Sequence, residues 1–130
     1  MSDNKRSILV IEDEEGVRDM VSRMLTKHDY EVSEAVDGLD GLRKIDECPP
    51  DLIIADVMMP NLDGLTLVKA LKTHRETKAV PVIFLTAKGD ARSMIEGINV
   101  GAKYYVTKPF QMDDLLGKVG KVLGDRGHRL

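Results

Sequence analysis

The apolar residues of this chain alternate between short continuous runs and stripes of helical spacing, and the alternation recurs five times. Short runs rich in β-branched residues predict strands covered on both faces, whereas stripes spaced by three and four residues predict amphipathic helices. The predicted strands span residues 7–11, 30–36, 52–57, 80–85 and 104–106, and the helical stripes span 17–25, 39–45, 65–71, 94–98 and 112–123. Five strand–helix units with right-handed crossovers predict a doubly wound α/β fold, a parallel five-stranded sheet with helices on both faces.

Length and composition indicate one globular domain. The chain has 130 residues, of which 42% are hydrophobic and 32% charged, and the lone Cys48 excludes an internal disulfide. A single cysteine fits a reducing compartment, so we expect a cytoplasmic location. No apolar run in the sequence is long enough for a membrane span, so we expect none. The net charge of −3 argues against direct nucleic-acid binding. We assign residues 1–6 to an N-terminal tail, 7–123 to the domain and 124–130 to a polar C-terminal tail.

Polar residues follow the predicted strands at the edge where such sheets bind ligands. Glu12 and Asp13 follow the first strand, Asp56 interrupts the third apolar run, Thr86 follows the fourth strand and Lys108 the fifth. The carboxyl ends of parallel strands meet at one edge, and ligands bind there near the point where strand order reverses. The sequence therefore predicts that three carboxylates, one hydroxyl and one ammonium converge at this edge.

Each of these residues also has a purely structural interpretation. An acidic pair before a helix commonly interacts with the positive end of that helix, and a single threonine or lysine at a strand end is commonly structural. Asp56 is harder to explain in this way, because burying an unpaired carboxylate inside a strand is costly. Adjacent strand residues point to opposite faces, so Glu12 and Asp13 both reach the edge only if the chain bends after the first strand.

The residue types predict a specific chemistry if they converge. Clustered carboxylates without cysteine or nearby histidine favour a hard divalent ion, Mg²⁺ or Mn²⁺. An aspartate can attack phosphorus and form an acyl phosphate, which makes Asp56 a candidate acceptor. Phosphoryl transfer needs mainly positioning and charge neutralisation, which the metal ion and Lys108 could supply, while Thr86 could bond a phosphoryl oxygen.

Four motifs resemble those of the receiver domains of two-component response regulators, the family of the chemotaxis response regulator. They are ILVIEDE, DLIIADVMMPNLDG, VIFLTA and GAKYYVTKPF, and they occur in the family's order at similar spacing. The resemblance covers about residues 7–123 and implies the flavodoxin-like, CheY-like strand order 2-1-3-4-5. It also implies a phosphorylation-activated switch in signal transduction, not an enzyme that turns over an external substrate.

The resemblance implies a role for each acidic residue of the predicted site. Asp56 would be the phosphoacceptor, which receives a phosphoryl group from a histidine kinase or a histidine phosphotransfer protein. Glu12, Asp13 and Asp56 would hold Mg²⁺ (or Mn²⁺) together with the backbone carbonyl of Met58.

The resemblance also implies how phosphorylation produces an output. Lys108 would pair with the phosphoryl group, and the Lys108–Pro109 bond would be cis. Thr86 and Tyr105 would be the switch pair, and the bonds that Thr86 and Lys108 make to the phosphoryl group would shift a pre-existing equilibrium. The surface that changes would be formed by the predicted fourth helix, fifth strand and fifth helix, at residues 91–100, 104–106 and 111–123.

Some positions depart from the pattern of receivers that dimerise on DNA. Those receivers carry an acidic pair before the tyrosine of the fifth strand, where this chain has Lys103-Tyr104. We therefore expect a monomer or weak dimer that acts on an unknown downstream protein. Met58 and Lys88 occupy positions that tune acyl-phosphate lifetime in the family, so we expect altered hydrolysis of undetermined direction. Few residues follow the domain, which suggests either a stand-alone receiver or a piece of a longer protein.

Three other functions share parts of this pattern. A flavodoxin-like flavin carrier needs a Ser/Thr/Gly-rich phosphate loop after the first strand, where this chain has an acidic run at residues 12–15. A phosphatase of the haloacid-dehalogenase type needs an Asp-x-Asp pair there, where this chain has Asp13-Glu14-Glu15. A pseudo-receiver that no longer accepts a phosphoryl group is disfavoured, because every expected side chain is present.

Overall fold

The computed structural model describes residues 5–58, 61–87 and 102–124, which form a five-stranded sheet with helices on both faces. The strands are β1 (Ser7–Ile11), β2 (Glu31–Ala35), β3 (Leu52–Asp56), β4 (Val82–Ala87) and β5 (Tyr104–Lys108). Their order across the sheet is β2-β1-β3-β4-β5, and every neighbouring pair is parallel. The predicted fold class and strand order are confirmed.

Each helix in the described part of the chain covers one of the predicted apolar stripes. These helices are α1 (Glu15–Lys27), α2 (Gly38–Glu47), α3 (Gly64–Lys72) and the C-terminal helix (Met112–Leu123). The predicted helix at 91–100 lies outside the described residues. Among the helices that are described, none is long and apolar enough to cross a membrane.

The sheet separates two apolar layers, because successive strand residues face opposite sides. In β1, Ile8 and Val10 belong to the layer shared with α1 and the C-terminal helix, whereas Leu9 and Ile11 belong to the layer shared with α2 and α3. All four side chains are buried. Burial on both faces explains why β1 has a continuous apolar run instead of an alternating pattern.

The structure corrects several sequence-based boundaries. β4 begins at Val82, two residues later than predicted, and β5 extends to Lys108 because the ladder still pairs Ala87 with Lys108. Met20 and Leu39, which the helical stripes include, are 47% and 55% exposed. The buried faces of α1 and α2 are therefore narrower than the spacing of apolar residues indicates.

Candidate functional site

The strand ends bring the predicted polar residues to one edge of the sheet. Glu12 directly follows β1, Asp56 ends β3, Thr86 lies one residue before the end of β4, and Lys108 ends β5. These four strands are consecutive neighbours in a parallel sheet, so their carboxyl ends lie together. The convergence that the sequence predicts is therefore a consequence of the fold.

The Lys108 ammonium connects the carboxylates of this edge. Its Nζ lies 2.8 Å from Asp56 Oδ2, 3.0 Å from Glu12 Oε1 and 3.4 Å from Glu14 Oε1. Burial by itself lowers the pKa of Lys108, but the hydrogen bonds and negative charges of Asp56 and Glu12 outweigh burial and raise the pKa above its usual value. Lys108 is therefore positively charged at neutral pH. The Lys108–Pro109 peptide bond is cis, which confirms the prediction.

Glu12 is the buried member of the acidic pair. Its side chain has no exposed surface, and its Oε2 accepts a hydrogen bond from the Glu14 backbone N–H at 3.0 Å. Burial raises the pKa of Glu12 to about 7, even though the Glu14 bond and Lys108 act in the opposite direction. Additional positive charge beside Glu12 would favour its ionised form.

Asp13 completes a group of three carboxylates. One oxygen from each of Glu12, Asp13 and Asp56 lies within 4.8 Å of the other two. Glu12 and Asp13 both reach the group because β1 ends at Ile11, so strand alternation does not apply to them. Such a set of hard oxygen donors fits Mg²⁺ or Mn²⁺.

The Asp56 carboxylate is held at both of its oxygens. Oδ1 accepts a hydrogen bond from the Met58 backbone N–H at 3.0 Å, and Oδ2 faces the Lys108 ammonium. The Asp56 side chain keeps 10% of its surface exposed, and the Met58 side chain beside it is 64% exposed. Asp56 is therefore oriented by its neighbours, and it is buried except for a small part of its side chain.

Gly64 allows α3 to begin close to Asp56. A Cβ at Gly64 would lie 2.7 Å from Phe84 Cε1 and 2.8 Å from the Asp56 carbonyl oxygen. Asp63 caps the helix by accepting a hydrogen bond from the Thr66 N–H at 2.8 Å. The motif residues Asp63 and Gly64 thus fix the start of α3 close to Asp56.

Thr86 and Tyr105 lie on the neighbouring strands β4 and β5. Thr86 is fully buried, and the Tyr105 ring packs against Phe84 with centroids 5.7 Å apart. The Tyr105 hydroxyl is buried without a hydrogen-bond partner among the described residues, and burial raises the pKa of Tyr105 to about 12. Its hydroxyl therefore lies inside the protein. Lys88 lies outside the described residues.

Two residues that the sequence reasoning did not assign lie at the site. Glu14 is the third carboxylate near Lys108, and Arg18 Nη1 donates a hydrogen bond to the Glu12 carbonyl oxygen at 2.8 Å. The acidic run at residues 12–15 contained the signal for Glu14. An arginine one turn into α1, able to reach back to the end of β1, was the signal for Arg18.

Comparison with known proteins identifies similar sequences over nearly the whole chain. A family model described as the response regulator receiver domain matches residues 8–120. RpaA of Synechocystis sp., named as a DNA-binding dual master transcriptional regulator, is 39% identical over 116 residues, which cover 89% of this chain and 48% of RpaA. PhoB of Escherichia coli, named as a phosphate regulon transcriptional regulatory protein, is 36% identical over 118 residues, which cover 91% of this chain and 52% of PhoB. The chain spans about half the length of these relatives.

Solved structures of similar proteins have the same fold. The chemotaxis response regulator CheY4 of Vibrio cholerae matches with a TM-score of 0.87 and 35% identity, over 92% of this chain and 100% of CheY4. The receiver domain of the Francisella response regulator 1452 matches with a TM-score of 0.84 and 31% identity, over 92% of this chain and 98% of that domain.

Proposed function

Since the chain belongs to the response regulator receiver domain family, we propose that Asp56 is the residue that accepts the phosphoryl group. Phosphorylation-activated signalling is the general function of this domain, and histidine kinases or phosphotransfer proteins are its partners. Receiver domains bind Mg²⁺ at an acidic pocket. The observation that supports Asp56 is its contact with Lys108 within a group of three carboxylates.

The phosphoryl transfer forms one bond and breaks one. A carboxylate oxygen of Asp56 attacks the phosphorus of a phosphohistidine, the new O–P bond makes an acyl phosphate, and the N–P bond breaks with its electron pair on the imidazole. The Met58 N–H and Lys108 hold the carboxylate in place before the attack. Glu12, Asp13, Asp56 and the Met58 carbonyl would hold Mg²⁺, which would supply charge neutralisation for the phosphoryl oxygens.

The acyl phosphate then changes the partners of Lys108 and Thr86. Lys108 exchanges its contacts with Asp56 and Glu12 for a phosphoryl oxygen, and the Thr86 hydroxyl bonds another one. These bonds exist only after phosphorylation, so they shift the equilibrium toward the signalling state. Tyr105, on the strand beside Thr86, transmits the shift to the surface formed by β5 and the C-terminal helix. The same site residues also assist the phosphorylation and dephosphorylation of the chain itself.

The wider assignments of the sequence analysis belong to this proposal. The domain spans residues 7–123, and it acts in the cytoplasm as a monomer or weak dimer. Lys103, just before β5, and Tyr104, its first residue, support this, because they replace the acidic pair of receivers that dimerise on DNA. This segment therefore passes its signal to a downstream protein and does not itself bind nucleic acid.

Intact-mass measurement after incubation with acetyl phosphate and Mg²⁺ tests the proposal. We expect the wild type to gain one phosphoryl group, Asp56→Asn to gain none, and EDTA to prevent the gain. Equal labelling of Asp56→Asn would show that another residue is the acceptor. An unlabelled wild type, under conditions that label a control receiver domain, would instead support a pseudo-receiver.

A further inference from the structure

Arg18 is bound to the loop that carries the acidic pair. Its Nη1 donates a 2.8 Å hydrogen bond to the Glu12 carbonyl oxygen, and its Nε lies 3.8 Å from Glu34 Oε1 on β2. The Arg18 side chain is only 15% exposed, whereas Arg23, farther along α1, is 81% exposed. Arg18 therefore connects α1, the end of β1 and β2 from a protected position.

The Glu12 carbonyl belongs to the peptide group that joins Glu12 to Asp13. A peptide group is planar, so a bond that holds its oxygen also sets the direction in which the chain continues to Asp13. On the other side of Glu12, its backbone N–H donates to the Ala35 carbonyl at 3.1 Å. The path between the two acidic side chains is thus fixed from both ends.

The start of α1 offers little other support for this loop. Glu14 is the N-cap residue of α1, and its side chain makes no capping hydrogen bond. A bond from the Glu14 N–H to Glu12 Oε2 restrains the Glu12 side chain and the peptide that follows Asp13, but it does not hold the peptide that precedes Asp13. Among the contacts of the described residues, the Arg18 bond is the one that holds the peptide preceding Asp13.

We propose that Arg18 is a positioning residue for the divalent-cation site, which holds the Glu12–Asp13 peptide so that both carboxylates face Asp56. The inference rests on the proposed metal site and assigns it a support outside the ligand set. Residues that orient metal ligands commonly change metal affinity by about 10–100-fold when they are removed.

The sign of the effect separates positioning from simple electrostatics. Arg18 carries a positive charge close to the site, so if it acted only through that charge, its neutralisation would strengthen cation binding. If Arg18 positions Asp13, its removal weakens cation binding even though a repelling charge has been lost. The two roles therefore predict opposite changes.

Binding of Mn²⁺, measured by electron paramagnetic resonance of the free ion, with Mg²⁺ as competitor, tests this inference. We expect Arg18→Gln to bind Mn²⁺ about tenfold more weakly than the wild type. Arg18→Lys, which keeps a charge and a donor, should recover part of the affinity. Arg23→Gln removes an exposed arginine of the same helix and should bind as the wild type does. Circular dichroism establishes that each variant is folded.

Glu34→Gln provides a second variant that does not depend on the folding of Arg18→Gln. It removes the 3.8 Å ion pair and leaves the bond to Glu12, so its Mn²⁺ affinity should stay at the wild-type value. A loss in Glu34→Gln as large as tenfold would assign the effect to the ion pair and overturn the inference. Unchanged or tighter binding by Arg18→Gln would overturn it too, and would leave the metal site intact. Absence of Mn²⁺ binding in the wild type would overturn the metal site itself.

Discussion

The strand β3 has an aspartate at each end, and the two lie in different surroundings. Asp51 directly precedes the strand, and its Oδ2 accepts hydrogen bonds from the Ser7 backbone N–H at 2.8 Å and from Ser7 Oγ at 3.3 Å. Asp56 is the last residue of the strand, and its two oxygens face the Met58 N–H and the Lys108 ammonium. Asp51 is exposed, whereas Asp56 is buried.

The difference lies in the charge around each carboxylate. Asp51 joins the starts of β1 and β3 through neutral donors, which makes it a local connection between two strands. Asp56 shares one ammonium with Glu12 and lies beside Asp13, so carboxylates outnumber cations there. The amino end of β3 is therefore neutral in its contacts, whereas the carboxyl end carries an excess of negative charge that a further cation would neutralise.

The largest effect is expected from removing the ammonium at the carboxyl end. Lys108→Ala should still bind Mg²⁺, several-fold more tightly than the wild type, because a competing cation has been removed from Asp56 and Glu12. The conformational response of β5 to phosphorylation should be lost in this variant, because no ammonium is left to bond the phosphoryl group. Metal titration gives the affinity, and the shift of β5 amide NMR signals on phosphorylation gives the output.

Lys103 is the matched control for Lys108. It lies just before the amino end of β5 and is exposed, so Lys103→Ala should leave both measurements unchanged. If Lys108→Ala bound Mg²⁺ more weakly than the wild type, Lys108 would be supporting the acidic group instead of competing with the metal ion. A wild-type NMR response in Lys108→Ala would remove Lys108 from the switch.

A smaller effect is expected from adding one methyl group behind Asp56. Gly64→Ala would place its Cβ against Phe84 and the Asp56 carbonyl, so it should lower the free energy of unfolding by about 1–3 kcal/mol. Gly117→Ala, in the C-terminal helix, has no atom within 4 Å of the added Cβ and should raise it by about 0.5–1 kcal/mol. Urea denaturation measures both. Equal stability of the two variants would mean that the loop after β3 shifts freely.

The fold could be predicted because its determinants are local. The strands are buried on both faces and therefore appear as continuous apolar runs, and each helix has an apolar stripe. The predictions failed where tertiary contacts determine burial. Met20 and Leu39 have helical spacing, but both residues are exposed. β5 is longer than predicted because it pairs with β4 as far as Lys108. This pairing is a contact with another strand, so the sequence of residues 104–108 alone does not predict it.

The candidate site was predictable at the strand ends and in the acidic pair that follows β1, but not at the start of α1. Glu12, Asp56 and Lys108 follow from strand positions, because parallel strands carry their last residues to one edge. Glu14 and Arg18 reach the site from the start of α1, and their contacts depend on side-chain direction. The sequence places both residues near the end of β1, but the partner that each side chain contacts is decided by the fold.

The smallest effect is expected at the amino end of β3. Both hydrogen bonds from Ser7 end on a single oxygen of Asp51, and the oxygen of an amide can accept both of them. Asp51→Asn should therefore change the free energy of unfolding by less than about 0.5 kcal/mol and leave acetyl-phosphate labelling at the wild-type level. The same substitution at Asp56 removes the nucleophilic carboxylate and should abolish labelling. Parallel intact-mass and urea experiments on the two variants measure this contrast directly, and reduced labelling of Asp51→Asn would mean that the two ends of the strand are coupled.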